Sequence, residues 1–449
     1  MPDFIREILN KWKNDEKNMR IGKSGSTKES HSEKIRAGQS YLYKSAGMES
    51  EVIEVRFRDK VSGSWLNQAL LLAVKRFPYI NTKLIEKDGD FYIVQNDISL
   101  VAKRTKKLHC LGDISCGYHL VDLTYYDYSV YISFHHALCD GRGIKPFVET
   151  LIYYYCSLRY HLHSRPDGVH LAGEPLLPGE IDEPFKQLYA YDETKDFPVF
   201  SRDGFAIPEP KKPAGDPDYR YEVTVPHGQF MAVCKANHAT PVILLALLMN
   251  RGLAKMYPDY EKPIHSHIAA DMRQGLDLPN TYKNCVCTLL LPYGREIAFL
   301  PLKEQAAEYR RLLSLQRDRD FCRRSANQMI GLFDKLDTLS SYEEKQGIMS
   351  FFEEMQLDTY IISYLGQFAL GESETYVKEI HLYNSGAAGL GINMISAGEL
   401  FIIDFKQSFA NGNYVKAFCE ELSLNEISYM VSDPIPFLTP NDSVVKRKI

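Results

Sequence analysis

No apolar run in the 449 residues is long enough to cross a bilayer. The longest, Val242 to Met249, falls well short of the roughly 20 residues a spanning helix needs. No charge of one sign dominates either. Lys and Arg number 53 against 58 Asp and Glu, a net charge of -5, and the basic residues are scattered, so nothing points to nucleic acid. Cysteine forms no framework: nine residues, an odd number without repeated spacing, are expected as free, mostly buried thiols in a reducing compartment. The opening Met1-Pro-Asp-Phe-Ile-Arg-Glu has early acids and no apolar core of the secretory kind, and a cytoplasmic protein is expected. Three chemical motifs are missing as well: the Gly-x-Ser-x-Gly elbow, the Gly-x-x-x-x-Gly-Lys-Ser/Thr phosphate loop and the Gly-x-Gly-x-x-Gly dinucleotide turn. His265-Ser-His267 and Cys285-Val-Cys287 each lack a second pair at zinc spacing and read as core or surface residues, so no metal is expected.

What is present is the balance of a folded globular chain, 45% hydrophobic and 25% charged, long enough for two domains or one large pseudo-symmetric body. Phe4, Ile5, Ile8, Leu9 and Trp12 would share one face of a short helix, and Gly22 to Lys28 reads as flexible. Glu51 to Arg58 alternates as a strand; Ser64 is placed to cap a helix from Trp65 to Arg76, which Phe77-Pro78 stops. Tyr118 to Tyr126 and Ser129 to His135 read as strands about an Asp127-Tyr128 turn. Ile144, Phe147, Val148, Leu151, Ile152 and Tyr155 then follow helical spacing, with Pro146 tolerated in the first turn.

From Arg165 to Pro217 nine prolines break any sustained helix. A crossover over 166–218 therefore separates a first unit, 1–165, from a second, 219–449. The second unit opens with a strand from Tyr219 to Val225 and a helix from Thr240-Pro241 through Met256 that is apolar nearly all round. Strands are expected over Pro263 to Ala270 and Val286 to Pro292, then a largely helical run over 302–355 broken near Ser340-Ser341. Four further strands, at Thr359 to Tyr364, Tyr376 to Tyr383, Leu390 to Ile395 and Glu399 to Phe405, precede a final helix from Tyr414 to Leu424. Strands and helices mix without strict alternation, which predicts an α/β or α+β class with large mixed sheets.

The chemistry concentrates in Ser133-Phe-His-His-Ala-Leu-Cys-Asp-Gly141. A strand that ends in His135-His136 and turns through Asp140-Gly141 into a helix presents imidazole at a sheet edge. Its ordinary pKa near neutrality suits it to take a proton from an alcohol or amine. Side chains alternate along a strand, so the two histidines point to opposite faces, and only one of them can face a cavity. Asp140 lies too close in sequence to orient an imidazole as in a triad. It is expected to hold the loop by pairing with a basic group elsewhere, while Gly141 would allow a backbone conformation that a side chain opposes. Cys139 reads as a packing residue, with a reactive thiol as the alternative.

His135-His136-Ala-Leu-Cys-Asp140-Gly141 resembles the His-His-x-x-x-Asp-Gly signature of the chloramphenicol acetyltransferase-like superfamily. That superfamily holds coenzyme A-dependent acyltransferases, alcohol acetyltransferases and the condensation domains of nonribosomal peptide synthetases. Ala69 to Leu84, Asp271-Met-Arg273 with Asn284, Ile362-Ser363-Tyr364-Leu-Gly366 and Ile403-Asp-Phe-Lys-Gln407 resemble further segments, so the likeness covers residues 40 to 430 in outline. Asp404-Phe-Lys-Gln-Ser-Phe stands where the plant branch has a Gly-Trp-Gly tail motif, which points to a bacterial or fungal acetyltransferase-like branch.

The resemblance implies two similar α/β subdomains in a V-shaped pseudo-dimer with an active-site tunnel between them. His136 becomes the general base, Asp140 pairs with Arg273 across the two halves, and His135 and Gly141 are structural. Ser363 and Asn284, beside backbone amides near Gly141, are the candidate oxyanion or substrate donors. An acetyl or short acyl group would pass directly from a thioester, acyl-CoA, to the hydroxyl or amine of a small-molecule acceptor. Acyl-CoA is then a co-substrate, and no cofactor is permanently bound. Two alternatives stay open: a stand-alone condensation-type enzyme fed by an acyl carrier protein, and a non-catalytic binding relative. A monomer with no nucleic-acid partner and no membrane span is expected.

Overall fold

The computed structural model describes residues 32–437 apart from 45–48, 88–89, 198, 200–202, 210–215, 357–358 and 388. The amphipathic face at 4–12 and the stretch 22–28 lie outside the described residues. Ahead of the proline-rich stretch the strands are β1 (Glu33–Lys34), β2 (Ser50–Phe57), β3 (Thr82–Lys87), β4 (Asp90–Gln95), β5 (Lys103–Arg104), β6 (Val121–Tyr126) and β7 (Ser129–His135). Beyond it come β8 (Asp218–Pro226), β9 (Ile264–Asp271), β10 (Val286–Tyr293), β11 (Tyr360–Gln367), β12 (Val377–Asn384), β13 (Leu390–Ala397) and β14 (Leu400–Gln407). Two short strands, β15 (Met430–Val431) and β16 (Ile435–Phe437), close the chain's described part.

These strands build a mixed α/β architecture. One five-stranded sheet has the order β12-β2-β7-β6-β5, and a larger one runs β10-β9-β11-β13-β14-β8-β15 with β16 also on β8. In the larger sheet β11 is parallel to both β9 and β13, while its other pairs are antiparallel. The edge strand β12 comes from far beyond the proline-rich stretch, yet it pairs antiparallel with β2 and so completes the sheet that carries the histidines.

Side-chain alternation decides what each sheet face meets. On the smaller sheet Ile53 and Val55 of β2 lie opposite Ile132 and Val130 of β7 and enter one apolar core. Helices α1 (Gly63–Arg76) and α2 (Gly141–Tyr160) pack against each other and fill that core, α2 through Ile144, Phe147, Val148, Leu151 and Ile152. Helix α3 (His227–Ala236), a helix that the periodicity reading passes over, and α4 (Pro241–Met256) serve the second core under the larger sheet. Ten of the sixteen residues of α4 are buried, as its all-round apolar composition requires.

The faces that the two sheets turn toward each other are largely polar. Arg56 of β2 donates to Glu222 of β8 at 2.7 Å and to Glu379 of β12 at 3.2 Å, and Arg220 of β8 donates to Glu54 of β2 at 3.2 Å. His381 of β12 places Nδ1 3.1 Å from Asp404 of β14. Burial alone would raise the Glu54 pKa, but Arg220 and Arg56 hold it down at about 2. Burial would likewise lower His381, yet Asp404, Glu379 and Glu222 push it up to about 9. Each buried charge therefore has opposite charges beside it, the condition under which such groups are tolerated.

The proline-rich stretch is a strap that touches segments on both sides of it in sequence. Its Glu180 takes both terminal nitrogens of Arg76 at 2.8 Å, and its Asp182 carbonyl accepts from Thr281. Two local expectations are corrected. Helix α1 begins at Gly63 with Ser62 at the cap position, because the Ser62 N–H is held by the Tyr155 hydroxyl at 3.0 Å; neither Ser62 nor Ser64 caps it through a side chain. The run 302–355 contains two breaks, since α5 (Leu302–Gln316) and α6 (Arg319–Asp337) are parted where Asp318 caps α6 by accepting from Asp320 N–H, ahead of α7 (Tyr342–Gln356).

Candidate active site

Strand β7 delivers both histidines to one turn, and they meet different surroundings. His135 is buried, and its Nδ1 accepts from the Ala137 N–H at 2.9 Å. Burial, with His136 adjacent, pushes its pKa down to about 3, so it stays neutral with its proton on Nε2. His136 is 8% exposed; its backbone N–H donates to the Glu49 carbonyl at 2.8 Å. The Tyr41 ring covers the imidazole at a 4.4 Å centroid distance, and Phe134 meets it edge-on at 6.0 Å. Its Nδ1 has no hydrogen-bond partner among the described residues, and its Nε2 lies 3.7 Å from Oε2 of Glu51.

The loop between β7 and α2 is held from the other half of the chain. Asp140 is the α2 cap residue, accepting from Gly143 N–H at 2.8 Å through Oδ1, and its Oδ2 accepts from Cys285 N–H at 2.8 Å. The same carboxylate takes both terminal nitrogens of Arg273 at 2.8 and 3.0 Å, a bidentate pair in which both residues are essentially sealed from water. Arg273 also donates to the carbonyls of Thr281 and Lys283 at 2.8 and 2.7 Å and to Asp271 at 2.9 Å. Burial would lower the guanidinium pKa, but Asp140 and Asp271 outweigh it and raise it. Arg273 thus ties the end of β9, the segment 281–285 and the histidine loop into one unit.

The glycines of the turn act by close approach rather than by backbone freedom. Gly141 does not need a left-handed φ; a Cβ there would stand 2.7 Å from a Leu365 methyl carbon. Gly143, which the sequence reading passed over, is more constrained, because a Cβ would lie 1.8 Å from the Tyr282 carbonyl oxygen. Cys139 is fully buried, and burial together with Asp140 raises its thiol pKa well above the ordinary value, which leaves it a packing residue.

Asn284 does not face an open site. Its Nδ2 donates to the Gly38 carbonyl at 3.0 Å, and its Oδ1 accepts from Val286 N–H. Ser363 is half-buried on β11, on the face opposite Tyr360 and Ile362, which enter the second core. Beside it in register is Asn393 of β13, whose buried Nδ2 lacks a partner among the described residues. His265 and His267 sit on β9 with ring centroids 6.1 Å apart. Among the described residues the one group with ligand atoms close enough for a metal is Glu222, His381 and Asp404, whose carboxylates already face Arg56 and Arg220.

Two residues at the imidazole had escaped the sequence reading, Glu51 and Tyr41. Glu51 carried a readable signal, since its alternation places a carboxylate on the β2 face that otherwise presents Ile53 and Val55 to the core. Tyr41 carried none, because it belongs to a short 3-10 segment, Ala37–Tyr43, with no periodicity to read.

No family model matches the chain, and no curated protein sequence does. Solved structures do match over nearly their whole length. TRI3, a trichothecene 15-O-acetyltransferase from Fusarium sporotrichioides, aligns at a TM-score of 0.58 with 12% identity, covering 90% of this chain and 97% of its own. F. sporotrichioides TRI101, solved with coenzyme A and T-2, aligns at 0.56 with 13% identity over 89% and 100%. The first condensation domain of the CDA synthetase aligns at 0.55 with 13% identity over 90% and 100%. With sheets, helices and braced histidine loop in this arrangement, the chain has the chloramphenicol acetyltransferase-like fold that these acetyltransferases and condensation domains share.

Proposed function

We propose that the chain is an acyltransferase in which His136 is the general base, moving an acyl group from acyl-CoA to a hydroxyl or amine acceptor. The observation that carries the reading is the contrast between the two imidazoles. His135 has its Nδ1 committed to a backbone N–H, whereas His136 Nε2 has no hydrogen bond to any of the described residues and its imidazole rests on a loop fastened by Asp140 and Arg273. The two acetyltransferases and the condensation domain named above supply the chemical class, and two of the neighbouring structures were solved with coenzyme A.

His136 Nε2 removes the acceptor proton while the acceptor's oxygen or nitrogen forms its bond to the thioester carbonyl carbon. The carbon–sulfur bond then breaks, and the sulfur leaves with the proton that Nε2 returns. Ser363, supported by the spare Asn393 donor in the adjoining strand, is the candidate to stabilise the oxyanion that forms between these steps. Asp140 and Arg273 touch no substrate in this scheme; they hold the loop.

The test is mass spectrometry of products from a panel of acyl-CoA donors with alcohols and amines, run on the native protein and on His136→Ala. Loss of the base should lower turnover by about 10²- to 10⁴-fold with the melting curve retained. Undiminished turnover in His136→Ala would remove His136 from the mechanism.

A further inference from the structure

Glu51 is an unusual residue for its place. It lies opposite Phe134 in the β2–β7 ladder, on the face that carries Ile53 and Val55 into the core, and it is only 6% exposed. A carboxylate so far out of water is costly unless a cation stands beside it. The buried acids of the charged seam, on the other face of β2, each have one: Glu54 and Glu222 have Arg220 and Arg56, and Asp404 has His381. Among the described residues no Lys or Arg pairs with Glu51, whose one ion-pair contact is His136 Nε2 at 3.7 Å. That separation is too long for a hydrogen bond, so neither group satisfies the other.

We infer that the acceptor is an amine, bound as its ammonium between Glu51 and His136, and that the enzyme is an N-acyltransferase. This rests on the acyltransferase reading of His136. An ammonium nitrogen can stand at about 2.8 Å from both Oε2 and Nε2, giving one N–H to the carboxylate and a second to the imidazole. An alcohol cannot satisfy both atoms. It has one proton, and donating that to Nε2 turns its lone pairs toward the carboxylate, whereas donating it to Glu51 leaves the base with nothing to remove.

The reaction then balances as follows. The bound ammonium gives one proton to His136 Nε2 and becomes a neutral amine, whose lone pair forms the carbon–nitrogen bond. A second nitrogen proton then leaves to solvent, and the imidazolium returns its proton to the sulfur as the carbon–sulfur bond breaks, leaving an amide, a thiol and neutral His136, while Glu51 gives and takes no proton.

The experiment compares native protein, Glu51→Gln and Glu51→Asp with matched acceptors, hexylamine and hexanol, and with water as acceptor in thioester hydrolysis. Glu51→Gln should raise KM for hexylamine about tenfold to a hundredfold, the size of a charge-assisted hydrogen bond. Hydrolysis of the thioester should fall much less than transfer to hexylamine, and Glu51→Asp should retain the preference for the amine. Equal loss with hexylamine, hexanol and water would overturn the inference, since Glu51 would then act only by positioning His136. So would native protein that makes the ester and no amide, an outcome that leaves the acyltransferase reading standing. Calorimetry of hexylammonium binding to His136→Ala, with and without Glu51→Gln, needs no turnover. Charge-dependent binding there, beside a native protein that transfers no acyl group to any acceptor, would support the ammonium site while sinking the acyltransferase reading; absence of binding would sink the ammonium site.

Discussion

Arg273→Ala should destabilise the protein more than any other single change at the loop. The side chain makes five hydrogen bonds, to Asp140 twice, to Asp271, and to the carbonyls of Thr281 and Lys283. Removing one member of a buried pair costs about 3–5 kcal/mol, because the remaining charge is left in low dielectric without its partner. Asp140 would keep the N–H groups of Gly143 and Cys285, which places the expected loss at the lower end, about 3 kcal/mol. For a folding unit of 150–250 residues that is roughly 6–12 °C in Tm. Asp140→Asn removes the orphaned charge, so the double variant should lose at least about 1 kcal/mol less than the two single losses added together. Urea unfolding followed by circular dichroism measures all four proteins, and transfer assays run beside it should show activity falling with stability. An Arg273→Ala protein within about 0.5 kcal/mol of native, or strictly additive losses, would refute the claim that this pair holds the loop.

The turn glycines should differ in tolerance. Gly143→Ala drives a methyl into the Tyr282 carbonyl and should cost about 1–3 kcal/mol or more, whereas Gly141→Ala meets only a movable Leu365 methyl and should cost less; thermal melts of both give the order. His381 predicts a pH dependence. Its folded pKa of about 9 stands above the ordinary 6.5, so its contribution is whole below pH 6.5 and is lost as pH rises through 9. Stability should therefore fall between pH 6.5 and 9.5, on the order of 3 kcal/mol, and His381→Gln should flatten that slope in urea titrations. Cys139 should resist iodoacetamide in the native protein at pH 8 and react after unfolding, as peptide mass spectrometry would report.

Much of this molecule could be read along the chain. Alternation marked β2, β6 and β7, and helical spacing marked α2 and the all-round burial of α4, because both periods are properties of consecutive residues. Alternation also separated His135 from His136, and the seven-residue motif carried the fold resemblance. Shorter or weaker signals went unread. Helix α3 has only two buried residues, and the β3–β4 hairpin belongs to a small sheet against the main body.

Three features that bear on function are decided only by tertiary structure. Strand β12, far from β2 in sequence, extends the histidine sheet, and no local pattern states which distant edge a strand will join. Gly143 has no room for a Cβ because the Tyr282 backbone crosses it. Glu51 could be seen in the sequence as a carboxylate on an apolar face, but its meaning depends on its 3.7 Å approach to His136, which the β2–β7 register creates. The sequence alone determined the imidazole, its loop and the faces of the elements around it, because these follow from residue type and local period. Only the folded chain decided which groups stand opposite that imidazole, because pairing between segments far apart in sequence is settled by packing.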